Sequence, residues 1–162
     1  MITIYVFPMK FNALSLHIQS GTYSKFDKQV DCLRNILTEL ELVDLPEDQI
    51  QSINEQIDYL NSLTSHEKEL TKQVRKVKNE IVKSLEKSVK IVPKNYYRNL
   101  WMVIGMSAFG LPIGVVFSTI IDNFAFIGVF LPVGMTLGMA MGAQMDEKAK
   151  KEGRQLNVEV SM

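Results

Sequence analysis

The side chains able to do chemistry are few and scattered. His17 and His66 are the only histidines, and Cys32 is the only thiol. No HExxH, CxxC, GxSxG or glycine-rich phosphate loop occurs, so the spacings that hold a metal, a redox pair, a nucleophile or a phosphate are missing. The acids are spread along the chain and form no isolated pair of the kind that general acid–base catalysis uses. His66 stands in Thr64-Ser65-His66-Glu67, a capping-box sequence, and reads as an exposed residue at a helix start. Cys32 lies beside an apolar stripe and reads as a small half-buried thiol, one that forms no internal disulfide and fits a reducing compartment. Met135, Met139, Met141 and Met145 read as fillers of irregular packing rather than ligands of a soft metal. The expectation is a protein that is not an enzyme, with no catalytic residue, no cofactor and no metal.

Charge says more. The chain carries 18 bases and 18 acids, and this balance gives no sign of a nucleic-acid partner. The balance hides two blocks. Residues 21–67 hold ten acids against three bases, and residues 68–98 hold ten bases against three acids. Three readings fit these blocks. They are solvated helix faces, or an antiparallel helix pair whose opposite charges set its register. Alternatively, the basic block, with Lys83, Lys87, Lys90, Lys94 and Arg98 nearest its end, lies against anionic lipid, where each base contributes ~1 kcal/mol.

The segment that must position everything else is 99–145, whose one formal charge is Asp122. At ~1.5 Å per residue a straight helix of that length would span ~70 Å, more than twice a hydrocarbon core of ~30 Å. It therefore folds back, and Asp122-Asn123 at its midpoint supplies the turn residues. Two spans result, 99–121 and 124–145. Bases precede the first and follow the second (Lys148, Lys150, Lys151, Arg154), while the connecting turn has none. Positive residues stay inside, which predicts a multi-pass protein of the cell inner membrane with both termini cytoplasmic. Tyr96, Tyr97 and Trp101 fall where an aromatic belt belongs. The first twenty residues lack a basic leader segment, so the first span is expected to act as the insertion signal.

Within the spans small residues keep register. Ser107, Gly110, Gly114 and Ser118 share one face of the first, and Gly134, Gly138 and Gly142 share one face of the second. Such faces let helix backbones approach closely, against the other span or against another subunit. Leu111-Pro112-Ile113-Gly114 echoes Leu131-Pro132-Val133-Gly134. Each proline frees the carbonyl four residues earlier, at Ala108 and Gly128, and predicts a kink at similar depth. Paired kinks can mark a transport site. With no ionisable residue at that depth, simple bending is the better reading.

The charged region reads as helices. Phe26, Val30, Leu33, Leu37 and Leu40 make one stripe over about 23–44. Leu45-Pro46 ends it, and Pro46 opens a second helix carrying Ile50, Ile53, Ile57, Leu60 and Leu63. After the interruption at 61–66, a third stripe runs from Leu70 to Val92 and is stopped by Pro93. In residues 1–20, Ile2, Ile4 and Val6 alternate, as do Leu14, Leu16 and Ile18. This period predicts either a short β-hairpin or an amphipathic segment lying on the membrane.

From Gly110-Leu111-Pro112-Ile113-Gly114, through the four-residue spacing of Gly134 to Gly142, to the charged tail Met145–Leu156, the chain resembles the small glycine-zipper two-span membrane proteins of bacteria. The resemblance covers 100–156. It implies an inner-membrane hairpin that self-associates, and it carries over no functional residue.

The expected fold class is an all-α membrane protein. A transmembrane hairpin (99–145) follows a cytoplasmic helical, coiled-coil-like domain (21–92), with a short β-hairpin in 1–20 and a charged cytoplasmic tail (146–162). The expected function is a scaffold or anchor. It forms a homo-oligomer, sits in the lipid bilayer, and binds a protein partner through 23–92. The alternative is an oligomeric channel or pore-forming effector gated by the cytoplasmic domain.

Overall fold

The computed structural model describes residues 10–16, 25–63 and 66–159. It is mostly helical. The elements are α1 (Lys25–Glu41), α2 (Glu47–Ser62), α3 (Glu67–Val89), β1 (Val92–Lys94), α4 (Tyr96–Gly105), a π turn (Met106–Gly110), α5 (Leu111–Ile121), α6 (Ala125–Lys151) and β2 (Gln155–Glu159). Strands β1 and β2 pair as a two-stranded sheet. The described residues fall into two compact units, one running up to Val92 with Leu156–Val158, the other Pro93–Gln155 with Glu159.

In the first unit α1, α2 and α3 bury the stripes that the three-four spacing marks. Leu33, Ile36 and Leu40 of α1, Ile57 and Leu60 of α2, and Val74 and Ile81 of α3 are all fully buried. Pro46 stands at the N-cap of α2, with Glu47 and Asp48 in the first turn, where acids complement the helix dipole. His66 is the exposed N-cap residue of α3 and makes no side-chain cap bond. Helix α3 ends sooner than its stripe. Lys90 takes a left-handed conformation (φ 58°) after Val89, and Val92 and Pro93 then belong to β1. Of the β-hairpin expected in 1–20, residues 10–16 are described and form no strand; the remainder lies outside the described residues, as do Thr64 and Ser65 of the expected capping box.

In the second unit Tyr96–Ile121 and Ala125–Lys151 are two continuous stretches of 26 and 27 residues, long and apolar enough to cross a membrane. Asp122 and Asn123 make the turn. Asp122 is left-handed (φ 52°). Its backbone N–H and that of Asn123 both donate to the Ser118 carbonyl, and Asn123 Oδ1 accepts the Ala125 N–H at 3.0 Å to start α6. Helix α6 runs on to Lys151 and closes with Gly153 (φ 69°). The Gly153 N–H donates to Lys150 O (3.1 Å) and the Arg154 N–H to Ala149 O (2.9 Å), the paired bonds of a Schellman end.

The two prolines act differently. Pro112 follows the π turn, in which the Leu111 N–H donates to the Met106 carbonyl five residues back. The wider turn makes room for a ring that would otherwise strike the Ala108 carbonyl. Pro132 lies inside α6, which continues through it.

Candidate functional site

Four features could carry function: the seam between the long apolar helices, the outward surface of those helices, the basic side of α3, and a buried polar group in the first unit.

The seam is built from glycine. A Cβ added to Gly134 would stand 2.5 Å from Gly110 N, and one on Gly114 would stand 2.9 Å from Ile127 Cα. One on Gly138 would fall on the Trp101 carbonyl, and one on Gly142 on the Tyr97 carbonyl. The α4–α5 backbone therefore touches the α6 backbone along its length, antiparallel, and the glycine faces of the two helices meet each other within one chain. Gly110, Gly114 and Ser118 lie on this face and are buried, as are Gly134, Gly138 and Gly142. Ser107 is exposed, and its hydroxyl donates to Val103 O at 2.9 Å. Gly105 holds the packed position instead. The π turn explains the change. It adds one residue to a helical turn, so the contact face passes from Gly105 to Gly110 in five steps.

Sequence reasoning missed Asp146, which it placed in the charged tail. Asp146 is 7% exposed. Its Oδ1 accepts the Tyr97 N–H at 3.0 Å and its Oδ2 the Arg98 N–H at 2.9 Å. These are orphan donors of the first turn of α4. The signal was present, because Asp146 continues the four-residue series Gly134, Gly138, Gly142.

The outer surface of the same helices is the reverse of a soluble fold. Val116, Ile120, Phe124, Val129 and Leu137 are each more than half exposed, while glycine and serine fill the interface. Phe117 and Phe130 stack with centroids 4.7 Å apart.

On α3, Lys72, Arg75, Lys76, Lys83 and Lys87 are exposed, as is Lys90 at its C-cap. At about 100° per residue the five within the helix fall away from Leu70, Val74, Val77 and Ile81. The bases thus point away from the apolar side of α3, with local ion pairs such as Lys76–Glu80 at 3.9 Å. Lys94 and Arg98, beyond α3, are exposed too.

Lys78 is the exception. It is completely buried, and its Nζ donates to Gln29 Oε1 at 2.8 Å. Burial pushes its ammonium below the ordinary lysine value; Cys32 acts against that shift and Arg75 adds to it. Burial raises the Cys32 thiol, and Lys78 opposes the rise. Among the described residues no group of three or more His, Cys, Asp or Glu is placed to hold a metal ion.

Comparison with protein-family models, curated proteins and solved structures finds no match to this chain.

Proposed function

We propose that the chain is a membrane-anchored scaffold. Helices α4–α5 and α6 cross a bilayer as a hairpin, with both ends on the cytoplasmic side of an inner membrane, and the first unit binds a partner or a second copy there. One observation carries this reading. The second unit packs glycine inside and leaves Val, Ile, Phe and Leu outside, the reverse of the burial that water-soluble folds show. In lipid that arrangement is the expected one, since close backbone packing holds the helices and apolar side chains meet the acyl chains. The basic side of α3 fits anionic headgroups, because the six residues 90–95 between α3 and α4 keep it within covalent reach of the bilayer.

The pore reading has less support. It needs the glycine faces to pack neighbouring subunits, and those faces are occupied by each other within one chain. The test is alkaline carbonate extraction of expressing membranes, followed by cysteine labelling at Asn123→Cys and Glu159→Cys in a Cys32→Ser background. Retention in the pellet, with only the first site reached from outside, is the expected result. A monomeric, detergent-free supernatant protein overturns the reading. Dye leakage from reconstituted liposomes would restore the pore.

A further inference from the structure

Residues 10–16 are held like a bound peptide. Asn54 Oδ1 accepts the Asn12 backbone N–H at 2.7 Å, and Asn54 Nδ2 donates to the Lys10 carbonyl at 3.2 Å. Asn61 repeats the pattern one step on. Its Oδ1 accepts the Ser15 N–H and its Nδ2 donates to the Ala13 carbonyl, both at 2.9 Å. Asp58, between them, accepts two bonds from Asn12 Nδ2, each 2.9 Å. A carboxamide offers an acceptor beside donors, so one Asn satisfies a residue's C=O and the N–H two residues later, as a neighbouring strand would. The pitches agree. Seven residues of helix separate the two Asn by ~10.5 Å, and three residues of extended chain cover ~10 Å. The α2 face is therefore matched to an extended backbone running parallel to it.

The Asn54 and Asn61 bonds read main chain, not sequence. Sequence enters at three places, the first being the Asn12 amide on Asp58. Phe11 is 8% exposed. Lys10 Nζ donates to Glu41 O at 3.2 Å and Val43 O at 3.0 Å, at the end of α1.

We propose that this clamp is filled between copies: residues 10–16 of one chain dock on α2 of a second, and exchanged segments hold the oligomer together. The proposal rests on the membrane-anchor reading, which confines copies to one surface and raises their effective concentration. Three observations favour it. An identical segment makes identical contacts in either copy, so exchange sacrifices none. The Asn12, Ala13 and Ser15 bonds are solvent-exposed, the profile of a segment that opens readily. Finally, the glycine seam is already closed within one chain, so the hairpin's small-residue faces are not open to a neighbour.

The test uses full-length chains carrying Cys32→Ser with either Asn12→Cys or Asp58→Cys, co-expressed and treated in membranes with a short bismaleimide. A covalent dimer joining one variant to the other is expected, reduced about tenfold when Asn54→Ala and Asn61→Ala are added. It should also be suppressed by excess synthetic peptide of sequence 10–16. Linkage confined within single chains of the double variant Asn12→Cys/Asp58→Cys, or a dimer indifferent to both the clamp variants and the peptide, overturns the exchange. Native mass spectrometry of the unmodified protein separates the two claims. An oligomer without the cross-copy product, or a monomer throughout, removes the exchange; the scaffold falls only if the chain also leaves the membrane on carbonate extraction.

Discussion

The Asp146 carboxylate reaches across the helix pair and accepts the Tyr97 backbone N–H at 3.0 Å, 49 residues earlier in the chain. No local residue does this. Asn95, at the N-cap of α4, is left-handed and makes no cap bond; its amide donates to Glu159 instead. One carboxylate thus supplies both the missing cap and a favourable charge at the positive end of α4. Asp146→Ala should lower stability by about 2 kcal/mol, because two backbone donors lose a charged partner. Asp146→Asn, which keeps one acceptor, should lose about half of that. Thermal unfolding of the full chain in detergent, with amide exchange read at Tyr97 and Arg98, checks both. An unchanged exchange rate at those amides would contradict the cap.

The seam makes a paired prediction at two glycines. A methyl group on Gly138 meets the Trp101 carbonyl, whereas one on Gly128 meets nothing within 4 Å. Gly138→Ala should cost at least about 2 kcal/mol, since backbone on both sides must separate. Gly128→Ala should be neutral or gain up to about 1 kcal/mol from helix propensity. Thermal midpoints of the two variants in one detergent decide it, and equal effects would sink the seam.

Much of this was legible from residue spacing. The helices of the first unit follow their stripes, and the turn falls at Asp122-Asn123, because a long uncharged segment leaves few ways to fold. Most of the misses share a physical cause, a dependence on a partner far away in the chain. Asp146 looks like tail charge until Tyr97 is beside it. Lys78 sits within a basic run, and only the packing of α1 on α3 shows it as buried. Gly105 replaces Ser107 on the packed face because one π turn shifts the register, and a fixed helical period cannot register that shift. Residues 12–16 alternate as a strand would, but their partners are side chains of α2, not a second strand.

The basic side of α3 can be tested without disturbing its core. Lys72, Lys83 and Lys87 are exposed and lie opposite the buried stripe, so charge reversal at all three should shift stability only slightly, by about 0.5 kcal/mol per site or less. Acetylation footprinting should show Lys83 and Lys87 protected in liposomes rich in anionic lipid and open in zwitterionic ones, with each base contributing ~1 kcal/mol. Equal labelling in the two bilayers would leave this face simply solvated.

Lys78 sets a pH dependence whose sign follows from its burial. Its folded-state pKa is depressed, first by burial, with Arg75 adding and Cys32 opposing. Between the folded value and the ordinary lysine value, ~10.4, the unfolded chain therefore binds more protons. Stability linked to Lys78 rises with pH through that window and is lost as pH falls through the folded value. Cys32 acts in the opposite sense. Its folded pKa is raised, so its contribution is present below the ordinary thiol value and fades as pH climbs through the folded one. Comparing Lys78→Met with the parent, both in a Cys32→Ser background, isolates the lysine. At neutral pH the methionine should be as stable as lysine or up to about 2 kcal/mol more so, because an apolar side chain of similar length avoids burying an ammonium. Gln29 is half-buried and can turn its freed Oε1 toward water. Chemical denaturation across a pH series should show the methionine's advantage shrinking as pH approaches 10, and a gap that stays constant or widens would mean that Lys78 does not titrate differently in the folded chain.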